Sequence, residues 1–428
     1  MRLASTVARR SRCAILEVCL IYVAIEACGA RINAWTVGSK EIGIMAKDPV
    51  LVVLQLSGGN DYFNSIVPRS NGLYYDYRKL QVIPEGEEIP IDDDHGFHPD
   101  MEPLKQFWDD GRMAIIHGVG YENSTRSHFR SMDIWHTCEP DKIGTEGWVG
   151  RATKMIDPNK DNVLTTVNFG QGLPRALAMP GVPVASVSDI QNYGVLTGIT
   201  EKEQREKALE RFSRMYSPAI GRGPVMDYIG SVGLDALKGA DILREAPKLY
   251  SSTVEYDGTV QATNQGAAGS IGGKLRAISM VHQANLGTRF FYTQHMGFDT
   301  HANQNPDLAA LWKSGSRAIS DFFADLRENN AADNVVMIVF TEFGRRCFDN
   351  GSGTDHGAGG VAFAIGDPVS GGHYSEYPSL KLEDLTQGDL MPNNDFRGFY
   401  STVLEQHMGL DPTEIVGGTY EQLPYIRK

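Results

Sequence analysis

The stretch TRFFYTQHMGFDTHANQ, residues 288–304, decides the fold. Thr288 to Gln294 is a short apolar run that reads as a buried strand, and it passes directly into a glycine loop carrying Asp299 and His301. At i and i+2 of an extended segment, both side chains project from one face, within reach of one cation. The same plan recurs around it. Asn334 to Phe340 reads as a strand that runs into TEFGRR, residues 341–346, with Glu342 just beyond the apolar core. NGSGTDHG, residues 350–357, brings Asp355 and His356 ahead of another strand, Gly360 to Ile365. VLVVLQLSGGND, residues 50–61, reads as a parallel strand, Val50 to Leu56, followed by a glycine turn that delivers Asp61. Four loops thus each carry an acid or an imidazole at a strand end. Such groups at the C-terminal edge of a sheet are what a hard or borderline divalent metal requires. That edge is also where open α/β sheets bind ligands.

Between these strands the periodicity turns helical. Helices are expected over Lys274 to Ala284, Pro306 to Leu326 and Asp395 to Met408. Met113 to Val119 reads as the second strand, and Leu164 to Phe169 and Val182 to Val187 as shorter ones. Ser127 to Cys138 has helical spacing, with Phe129, Met132, Ile134 and Trp135 as its expected buried face. Strand, loop and helix in alternation predict an α/β fold, a doubly wound and mostly parallel sheet with helices on both faces. Residues 201–250 are rich in Lys, Arg, Glu, Leu and Ala and break at Pro218 and at Gly221 to Pro224. With the Gly-rich loop expected over Thr253 to Gly273, they read as a helical insert over 201–273, a lid or side wall.

Composition narrows the functional classes. The chain has 428 residues, 41% hydrophobic and 22% charged, and its net charge is −13. That balance suits a soluble globular protein and argues against nucleic acid or an anionic membrane surface as partner. At the N-terminus, Arg9, Arg10 and Arg12 precede an apolar run, Cys13 to Ala24, and the small residues Ala27 to Ala30. This resembles an export signal over residues 1–30, and the Arg9-Arg10 pair suits the twin-arginine route. The run is too short for a stable membrane span. Outside it only Cys138 and Cys347 remain, which is no disulfide scaffold, and their pairing is open.

LQLSGGNDYFNSIVP, RSHFRSMDIWHT, GFDTHANQ, TEFGRR with NGSGTDHG, and the closing DFRGFYSTVLEQHMGL resemble the DUF1501 family from about residue 48 to the end. This bacterial family is often exported by the twin-arginine route and has no settled activity. It resembles the alkaline phosphatase and sulfatase superfamily, whose members hold one or two divalent metals at the C-terminal sheet edge. They cleave phosphate or sulfate esters with a hydroxyl or formylglycine nucleophile at a helix N-terminus. The resemblance implies Asp61, Asp299, His301, Glu342 and His356 as metal ligands. It implies a nucleophile in Asn123 to His128, with Ser127 ahead of Ser124 and Thr125 third. The chain departs from the pattern at Phe343, where a second late ligand is usual and no ligation is available; Asp355 or His128 would have to fill that gap.

The expectation is therefore an exported metal-dependent hydrolase of a phosphate or sulfate ester, on an anionic small-molecule or glycan substrate. The metal is one of Zn, Mn, Ca or Mg, and Arg126 or Arg345 would neutralise the substrate's oxygens. The alternative is a non-catalytic periplasmic binding or assembly protein on the same fold. Plainer roles exist for each residue: Asp61 as a turn or cap, Asp299 with His301 as a hydrogen-bonded pair, Glu342 as an ion pair with Arg345 or Arg346, and Ser127 as an N-cap. His95, His98, His117, His136, His282, His295, His373 and His407 join no common site by spacing, although His95 and His98 share an acidic loop.

Overall fold

The apolar runs pair with one another into a single large sheet. The computed structural model describes residues 47–190, 193, 199, 201–217, 221–256 and 269–428. The expected export signal, Pro218 and residues 257–268 of the expected loop lie outside them. The sheet's strands are Val50–Ser57 (β1), Met113–Gly120 (β2), Thr166–Phe169 (β3), Ala185–Val187 (β4), Phe290–Met296 (β5), Val335–Phe340 (β6), Gly360–Ile365 (β7), Gly372–Tyr374 (β8) and Asn394–Asp395 (β9). Their order is β8-β2-β7-β6-β1-β5-β3-β4, with β9 also beside β2. All neighbours are parallel except β7, which runs antiparallel to both β2 and β6.

Strands buried on both faces sort their side chains alternately into two cores. On β1, Val50, Val52, Leu54 and Leu56 enter one core, while Leu51 and Val53 enter the other. The first core is roofed by helices Glu102–Asp109 (α1), Ile271–Gln283 (α2) and Gln304–Glu328 (α3), through residues such as Leu275, Trp312 and Phe323. The second is covered by His128–Thr137 (α4), Trp148–Ile156 (α5) and Phe396–Thr402 (α6). This is the doubly wound α/β arrangement expected, and Asp48–Lys428 forms one unit.

Trp135 on α4 stacks on Phe340 of β6 (5.1 Å between ring centroids) and on Phe396 of α6 (4.5 Å), which fixes the helix that begins at His128. Contrary to the amphipathic reading, Phe129 points outward and is 92% exposed; the buried face is Ser131, Ile134 and Trp135. One step along the helix is about 100°, so Phe129 and Ile134 never shared a face. The insert contains helices Lys202–Tyr216 and Pro224–Leu243, the second packing Leu237, Ala240 and Leu243 inward. Cys138 and Cys347 are buried free thiols. Among the described residues, no helix is long and apolar enough to cross a membrane.

Candidate metal centre

Register brings the loops together. Ser57 of β1 lies opposite Met296 of β5, and Gln55 opposite Phe340 of β6, so β1 and β5 end level and β6 ends two residues before them at the same edge. Because β7 is antiparallel, its first residue, Gly360, lies opposite Val119 at the end of β2. The segment preceding β7 therefore reaches the edge that the other loops reach by following their strands. There Thr354–His356 pairs with Arg345–Asp349 as a short antiparallel ribbon.

Close approach is what the glycines and one arginine provide. At Gly58 (φ +127°) a Cβ would lie 2.3 Å from the Asp299 nitrogen, and at Gly59 (φ +81°) 2.4 Å from the Phe343 ring. Only glycine adopts such φ values at no steric cost. Arg345, whose side chain is wholly buried, donates to the carbonyls of Gly58, Gly59 (2.7 Å), Phe298 (2.9 Å) and Thr354 (2.9 Å). It also donates to Asp299 Oδ1 at 2.8 Å. One guanidinium thus clamps the loops after β1, β5 and β6 to the ribbon.

Three imidazoles converge on the atom that Arg345 holds. His128, His301 and His356 bring Nε2 within 3.3, 3.2 and 3.1 Å of Asp299 Oδ1, and the Nε2 atoms of His301 and His356 are 2.8 Å apart. Each ring's Nδ1 faces an oxygen: Glu342 Oε1 for His128 (2.9 Å), Asp355 Oδ1 for His301 (3.1 Å), and the Arg126 carbonyl for His356 (2.7 Å). Those oxygens accept, so each ring carries its proton on Nδ1 and turns the Nε2 lone pair inward. Lone pairs facing one another and an anion repel unless a cation or a proton lies between them. His128 Nε2, moreover, is buried and aligned with no hydrogen-bond partner. A His with its outer nitrogen fixed by a carboxylate or carbonyl and its inner one free is how metal-ligating imidazoles are set up. The donor set of His128, Asp299 and His356, joined from the rim by His301, fits a divalent ion.

Electrostatics agree. The carboxylates of Asp299 and Glu342 raise the His128 pKa to about 9. Burial alone would raise that of Asp299, but the His128 and His356 imidazoles and the Arg345 guanidinium beside it outweigh burial and hold the carboxyl far below its usual range. Phe343 fills the position where a further ligand was expected and packs its ring against His128 (4.9 Å) and His356 (4.7 Å) as an apolar wall. Asp299 keeps 47% of its side chain exposed, so the cluster is open to solvent.

Placed one by one, the remaining expected residues separate into partners and bystanders. Glu342 is buried and stands behind His128, also accepting from the Gly58 N–H (2.9 Å), so it supports a ligand instead of being one. Asp355 does the same for His301 from an exposed position. Asp61 is not brought to the cluster. Its buried carboxylate pairs with the equally buried Arg78 and accepts from Gln304, because the short helix Tyr62–Ser65 that follows it lies against the ribbon. Both arginines expected to meet a substrate anion are engaged. Arg345 is the buried clamp, and Arg126 pairs with Asp389 (2.9 Å) and Gln387 (3.0 Å). Ser127 is the N-cap residue of α4 but its exposed hydroxyl makes no cap bond, and Ser124 Oγ is buried without a partner. Arg78 and the packing role of Phe343 escaped the sequence reading; neither has a local motif. His95, His117 and His373 meet at a separate place, beside Asp92.

The family DUF1501, described as a protein of unknown function, matches residues 49–423, and the chain belongs to it. No curated protein matches the sequence. Among solved structures, PsFucS1 sulfatase from Pseudoalteromonas sp. is similar at 11% identity and TM-score 0.37, over 88% of this chain and 71% of that one. Alkaline phosphatase from the Antarctic bacterium TAB5 is similar at 12% identity and TM-score 0.33, over 76% and 95%. The C-terminal periplasmic domain of EcEptC from Escherichia coli, in complex with Zn, is similar at 9% identity and TM-score 0.34, over 75% and 73%. Likenesses at this level carry no argument about chemistry, which rests on the site alone.

Proposed function

We propose that this protein is an exported, metal-dependent hydrolase of phosphate or sulfate esters. The observation that carries the reading is the convergence of three Nε2 atoms on Asp299 Oδ1, with every outer nitrogen held by an oxygen. His128, Asp299 and His356 would hold the ion, and His301 would join from the exposed side. Of the metals expected, an imidazole-rich set favours Zn over Mn, Ca or Mg. Bound there, the ion would supply Lewis acidity toward an ester oxygen and would lower the pKa of a hydroxyl or water beside it.

The chain's own residues do the rest. Helix α4 presents His128 at its first turn and carries Ser127 at its N-cap, so the positive end of the helix dipole lies beside both. Ser127, free of a cap bond, and Ser124, buried without a partner, are the two candidate nucleophiles of this reading. With Arg126 and Arg345 engaged elsewhere, neutralising the substrate's oxygens falls to the ion and to the N–H groups at this helix end. Export rests on Arg9, Arg10 and the apolar run after them.

The test is elemental analysis of the protein purified without chelator, beside its Asp299→Ala variant, followed by turnover of aryl phosphates and aryl sulfates. The variant is expected to lose the ion of this site and all turnover; metal content equal to the parent's overturns the proposal. A second reading, a non-catalytic binding protein with the same metal, is favoured by the engagement of both arginines. It is eliminated if ester turnover occurs and vanishes when Ser124→Ala and Ser127→Ala are combined.

A further inference from the structure

We propose a second divalent-metal site, formed by Asp92, His95 and His373, which pins the loop after Ile89–Pro90 to the edge strand β8. It shares no residue with the centre described above. Asp92 and His95 come from one acidic loop, and His373 from a strand 281 residues beyond Asp92, so their meeting is a product of the fold alone. Asp92 Oδ2 lies 2.6 Å from His373 Nε2, and both Asp92 oxygens lie 3.2 Å from His95 Nδ1. One ligand atom from each of the three residues falls within 4.8 Å of the others, the spacing of donors around one ion.

The donors are also fixed in place. Asp92 Oδ1 accepts the backbone N–H groups of Asp94 (2.8 Å) and His95 (2.6 Å), which orients the carboxylate and leaves Oδ2 directed at His373. Behind His373 runs a buried relay: its Nδ1 lies 2.6 Å from His117 Nε2, and His117 Nδ1 lies 2.5 Å from the Tyr62 hydroxyl. A relay of this kind has two states with the same number of protons. In one, Tyr62 donates to His117, His117 to His373, and His373 Nε2–H to Asp92. In the other, each imidazole carries its proton on Nδ1, His373 donates to His117 and His117 to the Tyr62 oxygen, the Tyr62 hydroxyl keeps its proton but turns it away from His117, and His373 Nε2 is left with a free lone pair. The second state is the metal-ligating one, and its buried partners give His373 the outer-sphere support that ligating imidazoles require. The His95 ring stacks on Tyr377 (5.4 Å) and the His373 ring lies against Trp108 (4.7 Å), which limits their rotation.

The site faces solvent, with the Asp92, His95 and His373 side chains 35%, 18% and 26% exposed, so an ion can enter without opening the fold. Two imidazoles and one carboxylate suit Zn, Ni or Cu better than Ca or Mg. The role that follows is structural: the ion would crosslink residues 92–95 to β8.

The probe is Zn2+ itself, counted by equilibrium dialysis and elemental analysis on the full chain, with Co2+ absorption as a second readout. Wild type is expected to bind two equivalents, Asp299→Ala one, and Asp299→Ala combined with His373→Ala none. Asp92→Asn guards against misfolding, since asparagine keeps the oxygen that accepts the Asp94 and His95 N–H groups. In the Asp299→Ala background, Zn2+ should raise the melting temperature, and Asp92→Asn should abolish that rise and the Co2+ bands. An Asp299→Ala protein that binds no Zn2+ overturns the proposal. So does one whose single equivalent survives both Asp92→Asn and His373→Ala, because that ion would then sit elsewhere.

Discussion

Glu342→Gln separates a ligand from the group that stands behind a ligand. Glu342 Oε1 accepts from His128 Nδ1 and from the Gly58 N–H, each at 2.9 Å, while Oε2 faces Thr341 Oγ1 at 3.2 Å. Glutamine has the same shape. Its carbonyl oxygen keeps the first two bonds, and its NH2 can donate to Thr341 Oγ1, so the fold is retained. What is lost is one negative charge, which turns a charge-assisted hydrogen bond into a neutral one of about half the strength and makes His128 Nε2 a poorer donor. Loss of such an outer partner weakens metal binding by about 10–100-fold, or about 1.4–2.7 kcal/mol. The assay is competition for Zn2+ against a chromogenic chelator at neutral pH, with Asp92→Asn present to silence the second site and melting curves to show that the fold is intact. Affinity within about twofold of the parent, the effect of an ordinary surface change, would refute the outer-partner role. A loss as complete as that of Asp299→Ala would make Glu342 a ligand itself.

Zn2+ must displace the proton that Asp299 and Glu342 favour on His128, whose pKa they raise to about 9. Apparent Zn2+ affinity, measured by the same competition, should therefore climb between about pH 6 and pH 9 and level off above. In the metal-free protein the sign is opposite: a raised folded-state pKa gives stability that is present below 6.5 and lost as pH rises through about 9, which melting curves across that window would show. Arg78→Met leaves the fully buried Asp61 carboxylate without its cation and should cost about 3–5 kcal/mol in denaturant unfolding. Gly59→Ala places a methyl 2.4 Å from the Phe343 ring at a φ of +81°. It should lower both the melting temperature and Zn2+ affinity, since Phe343 cannot move without shifting the His128 and His356 rings it packs against.

Much of this architecture was legible because it is local. Apolar runs closed by glycine turns named β1, β2, β5 and β6, and the loops after them named Asp299, His301 and Glu342. Strand direction was not legible. Read as parallel, β7 would have sent the His356 segment to the far edge, and only the antiparallel pairing with β2 and β6 brings it home. The ranking of acids also failed where it depended on partners distant in the chain. Asp61 and Asp299 both follow a glycine turn, but Arg78 claims one and three imidazoles the other. His95, His117 and His373 were set aside for the same reason, since the strand pairing of β8 with β2 is what joins them.

The charge balance of the main centre explains why it needs no free arginine. Asp299, Glu342 and Asp355 are each in hydrogen-bonding contact with the imidazole cluster, and among the described residues Arg345 is the permanent cation bonded to it. With His128 holding the extra proton that its raised pKa favours, the metal-free group carries one excess negative charge, and two once that proton is lost, and either opposes an incoming anion. A divalent ion cancels that excess, and an anion at the open position then meets the ion and the N-terminus of α4 without a net opposing field. On the proposed hydrolase reading, metal binding would in this sense be a precondition for substrate binding and not only for turnover. It also gives Arg345 its place: buried under the loops, it offsets one carboxylate charge while leaving the solvent side, where Asp299 is open, to the ion.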